Sequence, residues 1–209
     1  YKPVIKIDPE WEIVKLGEVC QVNPNKSEVK HLPSDLEVSF VPMSDINENR
    51  MFFTPMQVKK LFEVYSSYTY FKENDVLLAR VTPCFENGKS GIARGLKNSF
   101  GFGSSEFFVL RALERKILPE WVYYNISSSS FINNGKNHMT GTGGLQRLNK
   151  DYVKNYKIPL PPLEVQQQIV KQIIEEQAIV NQNKRLIEIF EQKIKDKIAE
   201  VWGEAFDYD

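Results

Sequence analysis

Apolar positions in the first 160 residues fall in short runs bounded by turn residues. Glu37-Val38-Ser39-Phe40-Val41, Asp75-Val76-Leu77-Leu78-Ala79-Arg80, Gly91-Ile92-Ala93 and Phe107-Phe108-Val109-Leu110 are rich in β-branched or aromatic types, which predicts strands. Between them, Glu86-Asn87-Gly88-Lys89 and Gly101-Phe102-Gly103-Ser104-Ser105 read as loops. Pro119 followed by Glu120-Trp121-Val122-Tyr123-Tyr124 predicts a helix start, with proline in the first turn and an acid beside it. Helices are the minority here. The pattern predicts an α+β fold, with residues 1–160 forming a globular domain around a twisted, mainly antiparallel sheet.

The C-terminal portion is different in kind. Ile158-Pro159-Leu160-Pro161-Pro162-Leu163 is extended, because prolines remove donors and push the preceding residues out of helical geometry. From Leu163 to Trp202 there is no Gly and no Pro, and Ile173, Val180, Ile187, Ile194 and Val201 recur every seven residues. Ile169, Val170, Phe190 and Ile198 supply parts of a second row, which Glu176 and Asn183 interrupt. This is a coiled-coil seam that specifies a partner and register more than it maximises stability. Residues 161–209 thus read as one long dimerisation or spacer helix, about 60 Å long at about 1.5 Å per residue. Ile173, Val180, Ile187, Phe190, Ile194 and Val201 are its pairing positions. The alternative is a core helix folded back on its own domain, and the length counts against it.

Composition narrows the class. The 209 residues (24.2 kDa) suffice for one domain with a sizeable core plus an appended element. With 42% hydrophobic and 26% charged residues, the chain belongs among folded proteins, not disordered or fibrous ones. No apolar run approaches the roughly 18 residues of a spanning helix, and Tyr1-Lys2-Pro3 does not begin a signal peptide, so the expectation is a cytoplasmic protein without a membrane partner. A start at Tyr1 instead of Met suggests a fragment. Cys20 and Cys84 are expected as free thiols in that compartment.

Net charge is zero, but its distribution is uneven. Residues 72–163 carry 13 Lys/Arg against 7 Asp/Glu, while residues 1–71 carry 8 against 10 and residues 164–202 carry 6 against 7. A local basic surplus suits phosphate contacts, and a solvated mixed-charge face is the plain alternative.

Several catalytic or cofactor motifs fail on inspection. Gly88-Lys89-Ser90 resembles the end of a phosphate loop, but the glycine needed five residues earlier is Pro83, which has no N–H to offer. Gly101-Phe102-Gly103 begins a dinucleotide fingerprint whose third glycine position is Glu106, an anion facing a pyrophosphate. Cys20, His31, Cys84 and His138 lack the short paired spacings of a zinc site, and Cys84 with His138 has no feature supporting nucleophilic catalysis. Glu28-Val29-Lys30 fits the tail of a nuclease signature but sits in a polar stretch. No cofactor is expected.

Two segments, both read as loops, combine bases with small polar donors. Arg80, Thr82, Asn87 and Lys89, followed by Arg94 and Lys97, form the first; Thr140, Thr142, Gln146 and Arg147, around Gly141, Gly143 and Gly144, form the second. Arg bonds guanine bidentately, Asn or Gln bonds adenine, and Lys or backbone amides hold phosphate, so these are the candidate DNA contacts. Ordinary glycine turns explain the same composition.

The order of these segments carries a resemblance. Trp11 with Leu16-Gly17-Glu18-Val19, Asn74 to Arg80 leading into Thr82-Pro83-Cys84 and Glu86-Asn87-Gly88-Lys89, Gly101 to Glu106, Gly141-Thr142-Gly143-Gly144-Leu145, Ile158 to Leu163, then Gln166 and Ile169-Val170 stand as they do in one half of a type I restriction-modification specificity subunit. The chain resembles that family from Trp11 to Trp202. Val165 departs from it, standing where the family has an acid, and one recognition domain with one long helix replaces the usual two of each.

The resemblance implies a non-enzymatic subunit that reads one half of a bipartite double-stranded DNA target and recruits the methyltransferase subunit. A second copy paired through the long helix and the restriction subunit are further implied partners. A half-length subunit, a piece of a longer one and the recognition end of a fused polypeptide all fit. A coiled-coil adaptor without nucleic acid, or a small enzyme with an unrecognised pocket, are the alternatives outside the family.

Overall fold

The computed structural model describes residues 8–48, 50–142 and 144–202. Tyr1-Lys2-Pro3, Gly143 and the acidic residues beyond Trp202 lie outside the described residues. In chain order the elements are β1 (Glu12–Lys15), α1 (Leu16–Val19), β2 (Cys20–Val22), β3 (Glu37–Val41), β4 (Phe52–Phe53), β5 (Gln57–Lys60), α2 (Leu61–Val64), β6 (Thr69–Lys72), β7 (Val76–Ala79), β8 (Ser90–Ala93), β9 (Phe100–Gly103), β10 (Phe107–Ala112), α3 (Pro119–Ile126), α4 (Ser129–Lys136), β11 (Met139–Thr142), β12 (Leu145–Leu148), α5 (Lys150–Asn155), β13 (Lys157–Leu160) and α6 (Leu163–Trp202).

The strands form a five-stranded sheet ordered β2-β10-β7-β8-β4, a four-stranded sheet ordered β5-β3-β9-β6, and the pairs β1-β13 and β11-β12. Pairing is antiparallel except between β3 and β9 and between β4 and β8. The α+β, mainly antiparallel architecture is therefore as the sequence predicts, divided between sheets. The apolar runs become strands because both their faces are covered: all four residues of β7 are buried, as are all four of β8. Phe53, Phe71, Leu77, Phe107 and Val109 pack in one core cluster, and Val38, Phe40, Leu61, Tyr70 and Phe102 in another. Pro119 opens α3 as expected, with proline in the first turn.

Gly101-Phe102-Gly103 corrects the sequence reading, for it is strand β9 and not a loop. The glycines serve a close approach: a Cβ on Gly101 would stand 2.8 Å from the Ser39 carbonyl oxygen, and one on Gly103 2.8 Å from that of Val41. The same residues that look like turn punctuation let β3 lie against β9.

A charge network is built around the buried Asp75. Arg111 on β10 donates Nε and Nη2 to the fully buried Asp75 at 2.8 and 2.7 Å, and Nη1 to Glu28 at 3.0 and 3.1 Å. Lys72 and the Tyr70 hydroxyl complete the shell of Glu28 at 2.6 and 3.1 Å. Glu28 is thereby engaged in structure, and a carboxylate as buried as Asp75 is tolerated only with such partners. Burial pushes the Cys20 thiol up to about 12, and both cysteines are free.

The chain divides into two compact units between Gln167 and Gln168. The start of α6 belongs to the globular unit, where the buried Gln166 amide accepts the Leu118 N–H and donates to the Lys116 and Pro161 carbonyls. In the other unit, α6 runs on as a single helix, exposed from residue 181 to its end. Ile173 is buried and Val180 half-buried, whereas Ile187, Phe190, Ile194 and Val201 are 57, 57, 58 and 69% exposed.

Candidate nucleic-acid interface

The glycine-rich segment is a β-hairpin, a second correction to the loop reading. Strands β11 and β12 pair with Thr140 opposite Arg147, Gly141 opposite Gln146 and Thr142 opposite Leu145. The alternation of a two-stranded ribbon puts Thr140, Thr142, Leu145 and Arg147 on one face and Met139, Gln146 and Leu148 on the other. Leu148 is buried, anchoring the second face, while Thr140, Thr142, Leu145 and Gln146 are exposed. Gly141 has φ +141°, and a Cβ there would lie 2.3 Å from the Leu145 carbonyl oxygen, so no other residue fits.

The segment that continues from β7 clamps this ribbon. Leu148 donates its N–H to the Arg80 carbonyl at 2.7 Å, and Thr82 donates its N–H to the Gln146 carbonyl at 3.0 Å. The Thr82 hydroxyl does two jobs, donating to the Gly144 carbonyl at 2.7 Å and accepting from the Gln146 N–H at 2.9 Å. Residues 80–82 thus act as a third strand, and a cis Thr82–Pro83 bond follows them. Phe85, buried, closes the next turn by donating its N–H to the Val81 carbonyl.

One carboxylate ties the two segments together through their arginines. Arg147 Nε lies 3.0 Å from each oxygen of Glu106, and its Nη2 donates to Oε1 at 2.7 Å. Arg80 Nε donates to Oε2 of the same group at 3.2 Å, and its guanidinium lies 5.5 Å from the centre of the Phe108 ring. Arg147, and then Arg80 against the opposing effect of burial, hold the Glu106 carboxyl below the usual carboxylate range. Two cations on one anion leave a net charge of +1.

The structure therefore brings Arg80, Thr82, Thr140, Thr142, Gln146 and Arg147 to one ribbon and its clamp. Asn87 is exposed in the turn that follows, where Lys89 reaches the Met43 carbonyl at 3.5 Å. Arg94 and Lys97 belong to other neighbourhoods. Arg94 pairs with Glu120 of α3 at 2.8 Å, and Lys97 pairs with Glu37 of β3. Sequence reasoning missed Glu106 as a site residue. It stands 26 and 41 positions from its two partners, and its visible signal was an acid opening an apolar strand run.

Among the described residues, no group of three or more His, Cys, Asp or Glu side chains is placed to hold a metal ion. No helix there is long and apolar enough to cross a membrane.

The type I restriction modification DNA specificity domain matches residues 9–197, nearly the whole chain. The chain belongs to that family. Curated relatives of the specificity-subunit family include the type I restriction enzyme EcoEI specificity subunit of Escherichia coli, 35% identical over 81% of this chain and 30% of the relative. The EcoAI specificity subunit of the same organism is 35% identical over 77% and 27%. The chain spans about a third of the length of these relatives. Among solved structures, a chain from work on complex assembly and conformational transition of the type I R-M system superposes with TM-score 0.65 at 22% identity, over 93% of this chain and 45% of that one. The HsdS subunit from Thermoanaerobacter tengcongensis gives 0.58 at 22% over 88% and 41%. For the specificity domain, these likenesses establish the same fold, long helix included.

Proposed function

We propose that this specificity domain reads one half of a bipartite duplex DNA target, residues 1–160 contacting the DNA and residues 161–209 setting the spacing. The long helix pairs with a second such helix, from another copy or from the rest of a longer subunit, and the assembly recruits the methyltransferase subunit; the restriction subunit joins in the complete enzyme. The chain itself performs no chemistry.

The observation that carries the reading is the exposed β11-β12 ribbon. The major groove is about 12 Å wide and admits a two-stranded ribbon, and this one presents two hydroxyls, an amide and a guanidinium held by a backbone clamp. Asn87 and Lys89, in the turn that follows the clamp, are proposed as further polar contacts. Arg94 and Lys97 are bound up with Glu120 and Glu37, which makes them the weaker contributors of the set.

The test is duplex binding as a function of salt. Lys and Arg contacts to phosphate release counterions, so log affinity is expected to fall linearly with log salt. Binding that is absent or flat would return the chain to the coiled-coil adaptor reading. Methyl transfer by the chain alone, on adding a methyl donor, would return it to the enzyme reading.

A further inference from the structure

We infer that Arg147, Glu106 and Arg80 act as one unit that recognises a G·C base pair by its major-groove edge. The inference rests on the DNA reading above and goes beyond it by assigning a base pair to particular atoms.

Arg147 spends Nε and one Nη2 hydrogen on Glu106, and Arg80 spends Nε. Among the described residues, Nη1 of Arg147 and both terminal nitrogens of Arg80 have no hydrogen-bond partner, and the two side chains remain 43 and 32% exposed. Glu106 holds each guanidinium by its Nε side, which fixes both in place before any ligand arrives. Preorganised donors lose less freedom on binding than a free arginine does.

Charge then selects the ligand. A phosphate oxygen brought to Arg147 would also approach the carboxylate that shares that guanidinium, which offsets part of the attraction of the triad's net positive charge. The edge of guanine is neutral and offers two acceptors, O6 and N7, which suit arginine donors without that penalty. The oxygens of Glu106 are taken up by the two arginines, so its part is to hold their free donors in place. Those free donors complement the two acceptors that guanine presents in a G·C pair. In an A·T pair the N6 amine of adenine would face arginine donors instead. Arg147 sits on the same ribbon face as the exposed Thr140 and Thr142, so the ribbon that enters the groove carries the triad with it.

The experiment uses the whole chain and duplexes selected from a random library. Each guanine of the selected site is replaced in turn by 7-deazaguanine, which removes only the N7 acceptor. At one position the parent chain is expected to lose about tenfold or more in affinity, the usual loss for a bidentate base contact. Arg147→Ala is expected to bind the natural site about as weakly and to be indifferent to the same replacement. Glu106→Gln is expected to relax the preference for that pair. If no guanine is sensitive, or if Arg147→Ala weakens natural and replaced duplexes by equal factors, the assignment is wrong while DNA reading stands. If the parent binds no duplex, the DNA reading itself fails and takes the assignment with it. The 7-deazaguanine series on the parent decides the matter even if a variant fails to fold.

Discussion

The Gln166 side-chain oxygen accepts the backbone N–H of Leu118 at 3.0 Å. Its amide nitrogen donates to the Lys116 and Pro161 carbonyls at 3.2 and 2.8 Å, and the residue is fully buried. Gln166→Leu keeps the size but strands three backbone groups. The expected cost is about 2 to 4 kcal/mol, since an unsatisfied buried group costs about 1 to 3 kcal/mol and some relaxation is available. Urea unfolding of the chain measures it. A loss under about 0.5 kcal/mol would show that this amide does not hold the start of α6.

The Thr82 hydroxyl is the side-chain part of the ribbon clamp. Thr82→Val removes both of its hydrogen bonds and leaves the backbone pairing to Gln146 in place. The expected outcome is faster amide hydrogen exchange at Gln146, by about tenfold for a bond contributing about 1.4 kcal/mol, with an unchanged core. Duplex affinity should fall in parallel. Unchanged exchange would show that the ribbon stands without its clamp.

The pH dependence of stability follows from Glu106, whose carboxyl is held low in the folded protein by Arg147 first and Arg80 next. A depressed folded value contributes stability that is present above the unfolded value, about 4.3, and is lost as pH falls through the folded value. Thermal melts of parent and Glu106→Gln should therefore differ by a constant between pH 5.5 and 7 and converge as pH drops below about 4.3. Curves that diverge on acidification would reverse the sign and contradict the pairing.

On the long helix, Ile187, 57% exposed, stands at the centre of the apolar row that recurs every seven residues from Ile173 to Val201. Ile187→Asp puts a charge in the proposed seam, where its desolvation is uncompensated, and should abolish helix pairing while the globular unit stays folded. Sedimentation is expected to give a species near 24.2 kDa for the variant. An oligomer identical to that of the parent would contradict pairing through this row. Inserting seven residues keeps the seam in phase and moves the reading surfaces by about 10 Å, so the gap between half-sites should widen by up to about three base pairs.

What the sequence revealed depended on how local the cause was. The runs at 76–79 and 107–110 are legible as strands because burial of both faces leaves an unbroken apolar stretch, and α6 is legible because nothing in it breaks a helix. Strand β9 was not, because its glycines answer to the Ser39 and Val41 carbonyls about sixty residues away, not to a turn. The β11-β12 ribbon hid in the same way, its glycines being read as loop. Within the candidate site, Arg147 and Thr82 stood out by residue type. Glu106 did not, since a carboxylate gains its role only from the two arginines that the fold delivers to it. Pairing of β1 with β13 joins Glu12 to Leu160, a contact with no trace in local pattern.

The central claim is that the globular unit carries the base reading. The most direct measurement exchanges residues 8–160 for the matching segment of a relative, assembles the methyltransferase around the hybrid, and sequences the methylated sites. The account predicts that one half-site changes to the relative's while the gap between half-sites stays as it was. A hybrid that methylates the parent's half-site would contradict it.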